Sequence, residues 1–106
     1  TRLVVSGGGS QSDQIMQITA DIFGMTVFRP HTFETSSLGA AIAGAVGVGI
    51  YPDFVTAVEQ MTHDGENFAP IEANSVLYNS LYQKVYKKMY GQLKPSYEAI
   101  RSITGR

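Results

Sequence analysis

Leu3-Val4-Val5-Ser6-Gly7-Gly8-Gly9-Ser10-Gln11-Ser12-Asp13 joins a continuous apolar run to a segment, Ile15 to Phe23, in which apolar residues recur every three or four positions. The apolar run reads as a strand buried on both faces. Ile15, Ile18 and Ile22, with Met16, Ala20 and Phe23 beside them, read as one face of an amphipathic helix; Gln14, Gln17 and Asp21 fall on the other side. Three glycines in a row accept positive φ and put no side chain in a ligand's way. Ser10 and Asp13 have the S-x-x-D spacing of a capping box, which starts a helix at once. Strand, bare turn and helix start together aim backbone N–H groups and the positive end of a helix dipole at one place. An anion or a nucleotide fits there better than a cation.

Two common phosphate loops are excluded. No Gly-Lys-Ser/Thr follows the turn, so it is not a Walker A loop. Gly7 and Gly9 match the first two glycines of the dinucleotide fingerprint, but Ser12 stands where the third belongs. On this local pattern alone, a tight strand-to-helix turn that binds nothing fits as well as a nucleotide site.

Beyond the first helix, Gly24 has the character of a C′ glycine, and Met25-Thr26-Val27-Phe28 reads as a second strand stopped by Arg29-Pro30. A helix between two strands makes a β-α-β unit, with the second strand equally readable as a short edge. Glu34-Thr35 opens the next helix with Thr35 as its cap. The body of that helix is almost all glycine and alanine, which costs helix propensity and is expected to serve close packing against a neighbour. Asp53 caps a short helix, and Thr62 to Glu72 is a loop by composition. A long helix then carries Leu77, Leu81, Val85 and Met89 in one row beside Tyr78, Tyr82, Tyr86 and Tyr90. Gly91 is expected to end it, with Pro95 as the first residue of a last helix. The expected elements are strands at about 2–6 and 25–29, and helices at about 11–23, 36–49, 53–61, 74–90 and 95–103.

The 106 residues form one domain or part of one, with a net charge of −1 that steers the chain neither to nucleic acid nor to an anionic membrane. Cysteine is absent, which removes disulfides and thiolate metal sites and suits a cytoplasmic protein. The longest apolar stretch, Leu38 to Ile50, is too short and too rich in glycine to span a bilayer. The tyrosine row near Lys84, Lys87, Lys88 and Lys94 reads as the flank and solvated rim of a packed seam rather than as a nucleic-acid surface. His31 and His63 stand far apart without partners at metal-ligand spacing, so both belong to loops. Asp13, Asp21, Glu34 and Asp53 are explained by capping or by solvated helix faces. No complete catalytic set is visible.

The run from Val5 through Asp13, continuing Gln17-Ile18-Thr19-Ala20-Asp21-Ile22-Phe23-Gly24, resembles the C-terminal region of the FGGY sugar kinases. In that family a strand ends in Gly-Gly-Gly, followed by Ser-Asp, a helix ending Ala-Asp-x-x-Gly, and a strand, here Val27 to Pro30. Glu34-Thr35-Ser36-Ser37-Leu38-Gly39-Ala40-Ala41 resembles the family's Glu-x-x-x-Leu-Gly-Ala-Ala helix. Gly65-Glu66, Phe68, Pro70, Asn74 and the tyrosine-rich helix ending Leu93-Lys94-Pro95 are similar to the pentulose-kinase branch, of the xylulokinase and ribulokinase type. The resemblance covers nearly the whole chain.

What the resemblance implies is an α/β fold: a C-terminal fragment of an actin-like (ribonuclease-H-like) ATPase domain, occupying residues 1–106. In these kinases ATP, with Mg2+, and a sugar meet between two domains, and the γ-phosphoryl group moves to a sugar hydroxyl. Carried over, Gly8 and Gly9 let the backbone approach ATP, Gly7 shapes the turn, and Ser12 stands where the family has a small polar residue near the adenine. Asp13 remains a helix-capping partner. The catalytic aspartate, the phosphate-binding motif and the Mg2+ ligands lie upstream of this stretch in the family, so the chain alone is expected to be inactive. Its partners would be ATP or ADP and, through the absent domain, a sugar, with no nucleic acid or membrane. Open strand edges and the bare glycine-alanine helix are expected to promote homodimer formation or aggregation. The reading that competes with the kinase is a free-standing helical interaction module whose glycine turn is purely structural.

Overall fold

A computed structural model describes residues 2–106. Strand β1 (Leu3–Val4) leads through a three-ten turn (Gly8–Gln11) into helix α1 (Asp13–Phe23), which returns to strand β2 (Val27–Pro30). Helices α2 (Thr35–Gly47) and α3 (Phe54–Met61) precede strand β3 (Asp64–Phe68). Helix α4 (Glu72–Leu81), a π-helical segment (Tyr82–Tyr86) and α5 (Lys87–Thr104) complete the chain.

The β-α-β unit forms as expected: β1 runs parallel to β2, with Leu3 opposite Val27 and Val4 opposite Phe28. β2 is the central strand and not an edge, because β3 pairs with its other side, antiparallel, from Val27–Phe68 to Pro30–Asp64. The sequence reading placed β3 in a loop. Its residues Asp64-Gly65-Glu66-Asn67-Phe68 are mostly polar and carry a turn dipeptide, but pairing supplied by β2 outweighs that local preference.

Met16, Ala20 and Val27 are fully buried and form the core, flanked by Leu3, Val5 and Phe68. The face of α1 that packs on the sheet is therefore Met16–Ala20. The isoleucine row is open, with Ile15, Ile18 and Ile22 at 46%, 45% and 51% exposure, because three short strands cover only one side of the helix. Gly24 ends α1 in the left-handed conformation, φ 61°, as its sequence position predicts.

Asp21 does not lie on a solvated face but is 2% exposed, between α1 and α4. Its carboxylate accepts from the Ile71 N–H at 2.7 Å, from Asn74 Nδ2 at 2.8 Å and from Gln17 Nε2 at 3.0 Å. Ile71 is the N-cap position of α4 and has no side-chain acceptor of its own, so α1 supplies the cap from 50 residues away. These donors, the Ile71 amide above all and then Asn74, hold the Asp21 pKa below the usual carboxylate value; burial opposes them, and Gln17 adds to the lowering. A carboxylate whose folded pKa is depressed contributes stability above its unfolded pKa of about 3.9, and the contribution disappears as pH falls through the folded value. Asp21→Asn is expected to lower the thermal midpoint at pH 7 by on the order of 5 °C or more and to flatten its fall below about pH 4. Thermal melts from pH 2.5 to 7 test this; parallel curves for the two proteins would remove the carboxylate from the account.

Three further expectations are corrected. Among the described residues, no atom from outside the helix's own adjacent backbone lies within 4 Å of where a Cβ would sit at Gly39, Gly44 or Gly47 of α2, so the expected close approach is not made there. The helix after α4 does not stop at Gly91 but runs through Gly91 and Pro95 to Thr104. Proline 95 lacks the N–H for an intrahelical bond, and the exposed position leaves water to satisfy the freed carbonyl. The row Leu77, Leu81, Val85 and Met89 is not a packed seam, as each remains between 43% and 57% exposed. With α5 standing away from the sheet, the molecule measures 58 × 43 × 22 Å and has a radius of gyration of 20.3 Å. A compact chain of this length would have about 13 Å.

Candidate functional site: the glycine turn

Val5 continues β1 by donating its N–H to the Phe28 carbonyl at 2.9 Å, so the strand leads directly into the glycines. Gly7 takes φ 88°, which only glycine adopts without strain, and its N–H goes to the Phe33 carbonyl at 3.1 Å. Its carbonyl accepts both the Ser10 N–H at 3.0 Å and the Ser10 hydroxyl at 2.7 Å, while Ser12 N–H reaches the Gly9 carbonyl at 3.2 Å. Ser10, fully buried, thus locks the turn from inside.

The turn replaces the expected capping box. A three-ten turn over Gly8–Gln11 delays the α-helix, so Ser12 and not Ser10 is its cap, accepting from the Ile15 N–H at 3.3 Å. Ser12 also donates to Gln14 Oε1 at 3.0 Å. Asp13 is drawn aside by Arg29, whose Nη1 lies 2.8 Å from Asp13 Oδ1. Thr35 likewise is not the cap of α2. Glu34 holds that position without a side-chain bond, and the Thr35 hydroxyl lies 3.2 Å from Ser6 Oγ instead. Asp53 does cap α3, accepting from the Thr56 N–H at 2.7 Å.

Gly8 and Gly9 are exposed, and no atom comes within 4 Å of an added Cβ at either, or at Gly7. Among the described residues no backbone acceptor takes the Gly8 or Gly9 N–H, the orphan donors at the start of a helical turn. Bare main chain, free donors and open space are what a phosphate or ribose needs from such a turn. The residues therefore fit a nucleotide.

Beside the turn, a cleft of about 480 Å3 runs from Ser6 past Phe28, Thr35 and Leu38 to His31 and His63. The two histidines, placed in separate loops by the sequence, meet there with ring centroids 6.1 Å apart and planes nearly perpendicular. The His31 N–H bonds the His63 carbonyl at 3.3 Å, since the two residues flank paired strands. Among the described residues no group of three or more His, Asp or Glu gathers as a candidate metal site. No helix of the described residues is long and apolar enough to cross a membrane.

The model of the FGGY family of carbohydrate kinases, C-terminal domain, matches residues 1–48, from β1 through the glycine turn to the end of α2. Residues 1–48 belong to the FGGY C-terminal domain. Likeness to FGGY-type kinases extends over most of the remaining chain. It is 40% identical over 107 residues to the uncharacterized sugar kinase YgcE of Escherichia coli (strain K12), covering 97% of this chain and 22% of that protein. It is 38% identical over 101 residues to the autoinducer-2 kinase of Salmonella choleraesuis (strain SC-B67), covering 89% of this chain and 19% of that protein. Its fold matches the crystal structure of xylulose kinase from Rhodospirillum rubrum with a TM-score of 0.71 and 28% identity, over 92% of this chain and 20% of that one. The fold is thus the α/β one of this part of the actin-like kinase domain, and the chain spans about a fifth of the length of these relatives. The FGGY match embraces all four predicted site residues, Gly7, Gly8, Gly9 and Ser12.

Proposed function

We propose that the chain is the nucleotide side of a cytoplasmic sugar kinase. In this reading Gly8 and Gly9 bring bare main chain against ATP, Gly7 gives the turn its shape, and Ser12 stands at the adenine end while its oxygen caps α1. ATP supplies the γ-phosphoryl group, with Mg2+ held by residues outside these 106, and a sugar hydroxyl accepts it. A pentulose is the substrate class favoured by the motifs from Gly65 to Pro95. The catalytic base belongs to the sugar-side domain, so the 106 residues alone are inactive. The observation that carries this reading is the pair of open, unclaimed amides at Gly8 and Gly9 within a matched family segment.

The test uses the full-length protein, assayed for ADP release with ketopentoses, aldopentoses and glycerol as acceptors. ADP release that depends on a ketopentose, and is absent with the 106-residue chain, is the expected result. Release with another acceptor only would replace the pentulose. No acceptor-dependent release, together with no ATP-induced change at the Gly8 and Gly9 amides of the full-length protein, would end the kinase reading.

A further inference from the structure

Arg29 ties four parts of the fold together at the glycine turn. Its Nη1 donates to the Ser10 carbonyl oxygen at 3.0 Å as well as to Asp13, and its Nη2 lies 2.7 Å from Glu66 Oε2. The guanidinium also sits over the Phe68 ring, 5.2 Å from the centroid. Val27 and Arg29 alternate onto the α1 side of β2, and Glu66 and Phe68 of β3 meet them there. The arginine side chain keeps only 15% exposure while both of its carboxylate partners are largely solvated. Solvated ion pairs contribute little to stability, so the stability of the two carboxylate contacts does not explain the arrangement. A planar fork that reaches one carbonyl and two carboxylates while stacking on a ring is a geometry lysine cannot reproduce.

The contact that matters is the one to the backbone. The Ser10 carbonyl closes a segment in which the Gly7 carbonyl already holds the Ser10 N–H and hydroxyl. With Phe33 holding Gly7 at one end and Arg29 holding Ser10 at the other, the peptide planes between them cannot rotate freely. Those planes carry the Gly8 and Gly9 N–H groups. We infer that Arg29 is a positioning residue for nucleotide binding, acting from β2 through the Ser10 carbonyl to aim the Gly8 and Gly9 amides. The inference rests on the nucleotide reading given above. Pre-set donors avoid the cost of ordering a turn at the moment of binding, so loosening the turn weakens the nucleotide and leaves the sugar untouched.

Two measurements on Arg29→Gln and Arg29→Lys test this. In the full-length protein without nucleotide, hydrogen exchange of the Ser10 and Ser12 amides is expected to accelerate at least about 10-fold, while amides of α4 keep their rates. In the full-length protein the KM for ATP is expected to rise about 10-fold in Arg29→Gln and less in Arg29→Lys, with the KM for the sugar unchanged. Asp21→Asn, which weakens the α1–α4 contact away from the turn, serves as the control for general loss of stability. Unchanged exchange and unchanged ATP KM in both variants overturn the inference. So does an equal rise in ATP and sugar KM, or an Asp21→Asn protein whose ATP KM rises as much. If Arg29→Gln fails to fold, Arg29→Lys carries both measurements, since it keeps the charge. An unsubstituted full-length protein that shows no ATP dependence overturns the nucleotide reading and this inference with it. That outcome is recognisable because the exchange rates are read without nucleotide.

Discussion

Gly8→Val in the full-length protein is expected to weaken ATP about 100-fold, close to 3 kcal/mol, while sugar affinity and thermal midpoint stay nearly where they were. The argument begins with what the substitution does not disturb. Gly8 has no positive φ, and no atom lies within 4 Å of the added Cβ, so the fold accepts a side chain there. Replacing glycine even stiffens the unfolded chain, which offsets the small cost of a β-branched residue in a three-ten turn. The two methyl groups of valine then occupy open space at the turn that a nucleotide approaching its bare main chain would need. Any nucleotide group that reaches the Gly8 and Gly9 amides must displace the methyls or retreat, and either loses its hydrogen bonds. Titration of ATP into both proteins, with sugar titrated separately, reads the effect. Gly7→Val would not make this test, because φ 88° makes any side chain there a folding problem. A Gly8→Val protein that binds ATP as tightly as the parent would show that the nucleotide passes elsewhere. Equal losses of ATP and sugar affinity would show a fold disturbed at large.

Gly65→Ala is expected to destabilise the chain by about 3 kcal/mol, the upper part of the range for forcing atoms into filled space. A Cβ at residue 65 would overlap the Arg29 carbonyl oxygen and stand 2.9 Å from the Pro30 carbonyl carbon. Both are backbone atoms of the central strand, so no side-chain rotation relieves the clash. The β2–β3 pairing is already irregular between Phe28 and Pro30, and Gly65 faces that irregularity. Separating the strands there would also pull Glu66 from Arg29 and Phe68 from the core. Urea denaturation should show a lower midpoint with an unchanged slope. An unchanged midpoint would mean that the two strands part at little cost.

Residues 3 to 30 were the most legible part of the molecule, and the reason is locality. A strand, a glycine turn, a helix and its left-handed Gly24 cap are specified by neighbours within a few positions, and the parallel pairing of Leu3 with Val27 follows from connecting them. The openness of Gly7, Gly8 and Gly9 was legible for the same reason. The turn's internal wiring was not: S-x-x-D is a capping pattern only if the helix starts at once, and a three-ten turn moved the start to Ser12. Arg29 read merely as the end of a strand, because Asp13, Ser10 and Glu66 reach it only when β2 lies between α1 and β3. Asp21 read as a surface carboxylate for want of its partners Ile71 and Asn74, which no periodicity in α1 reveals.

The order of elements up to α3, the side-chain-free turn and the family to which the first 48 residues belong were all settled by the amino-acid sequence. Each depends on backbone preferences and spacings that act over less than about four residues, or on motifs that repeat them in order. The tertiary structure alone decided that Asp64–Phe68 is a strand, that α1 buries Met16 and Ala20 rather than its isoleucines, and that Arg29 grips the glycine turn through the Ser10 carbonyl. Those outcomes depend on which surfaces are near enough to exclude water or exchange hydrogen bonds, and that nearness arises only when residues tens of positions apart have been folded against one another.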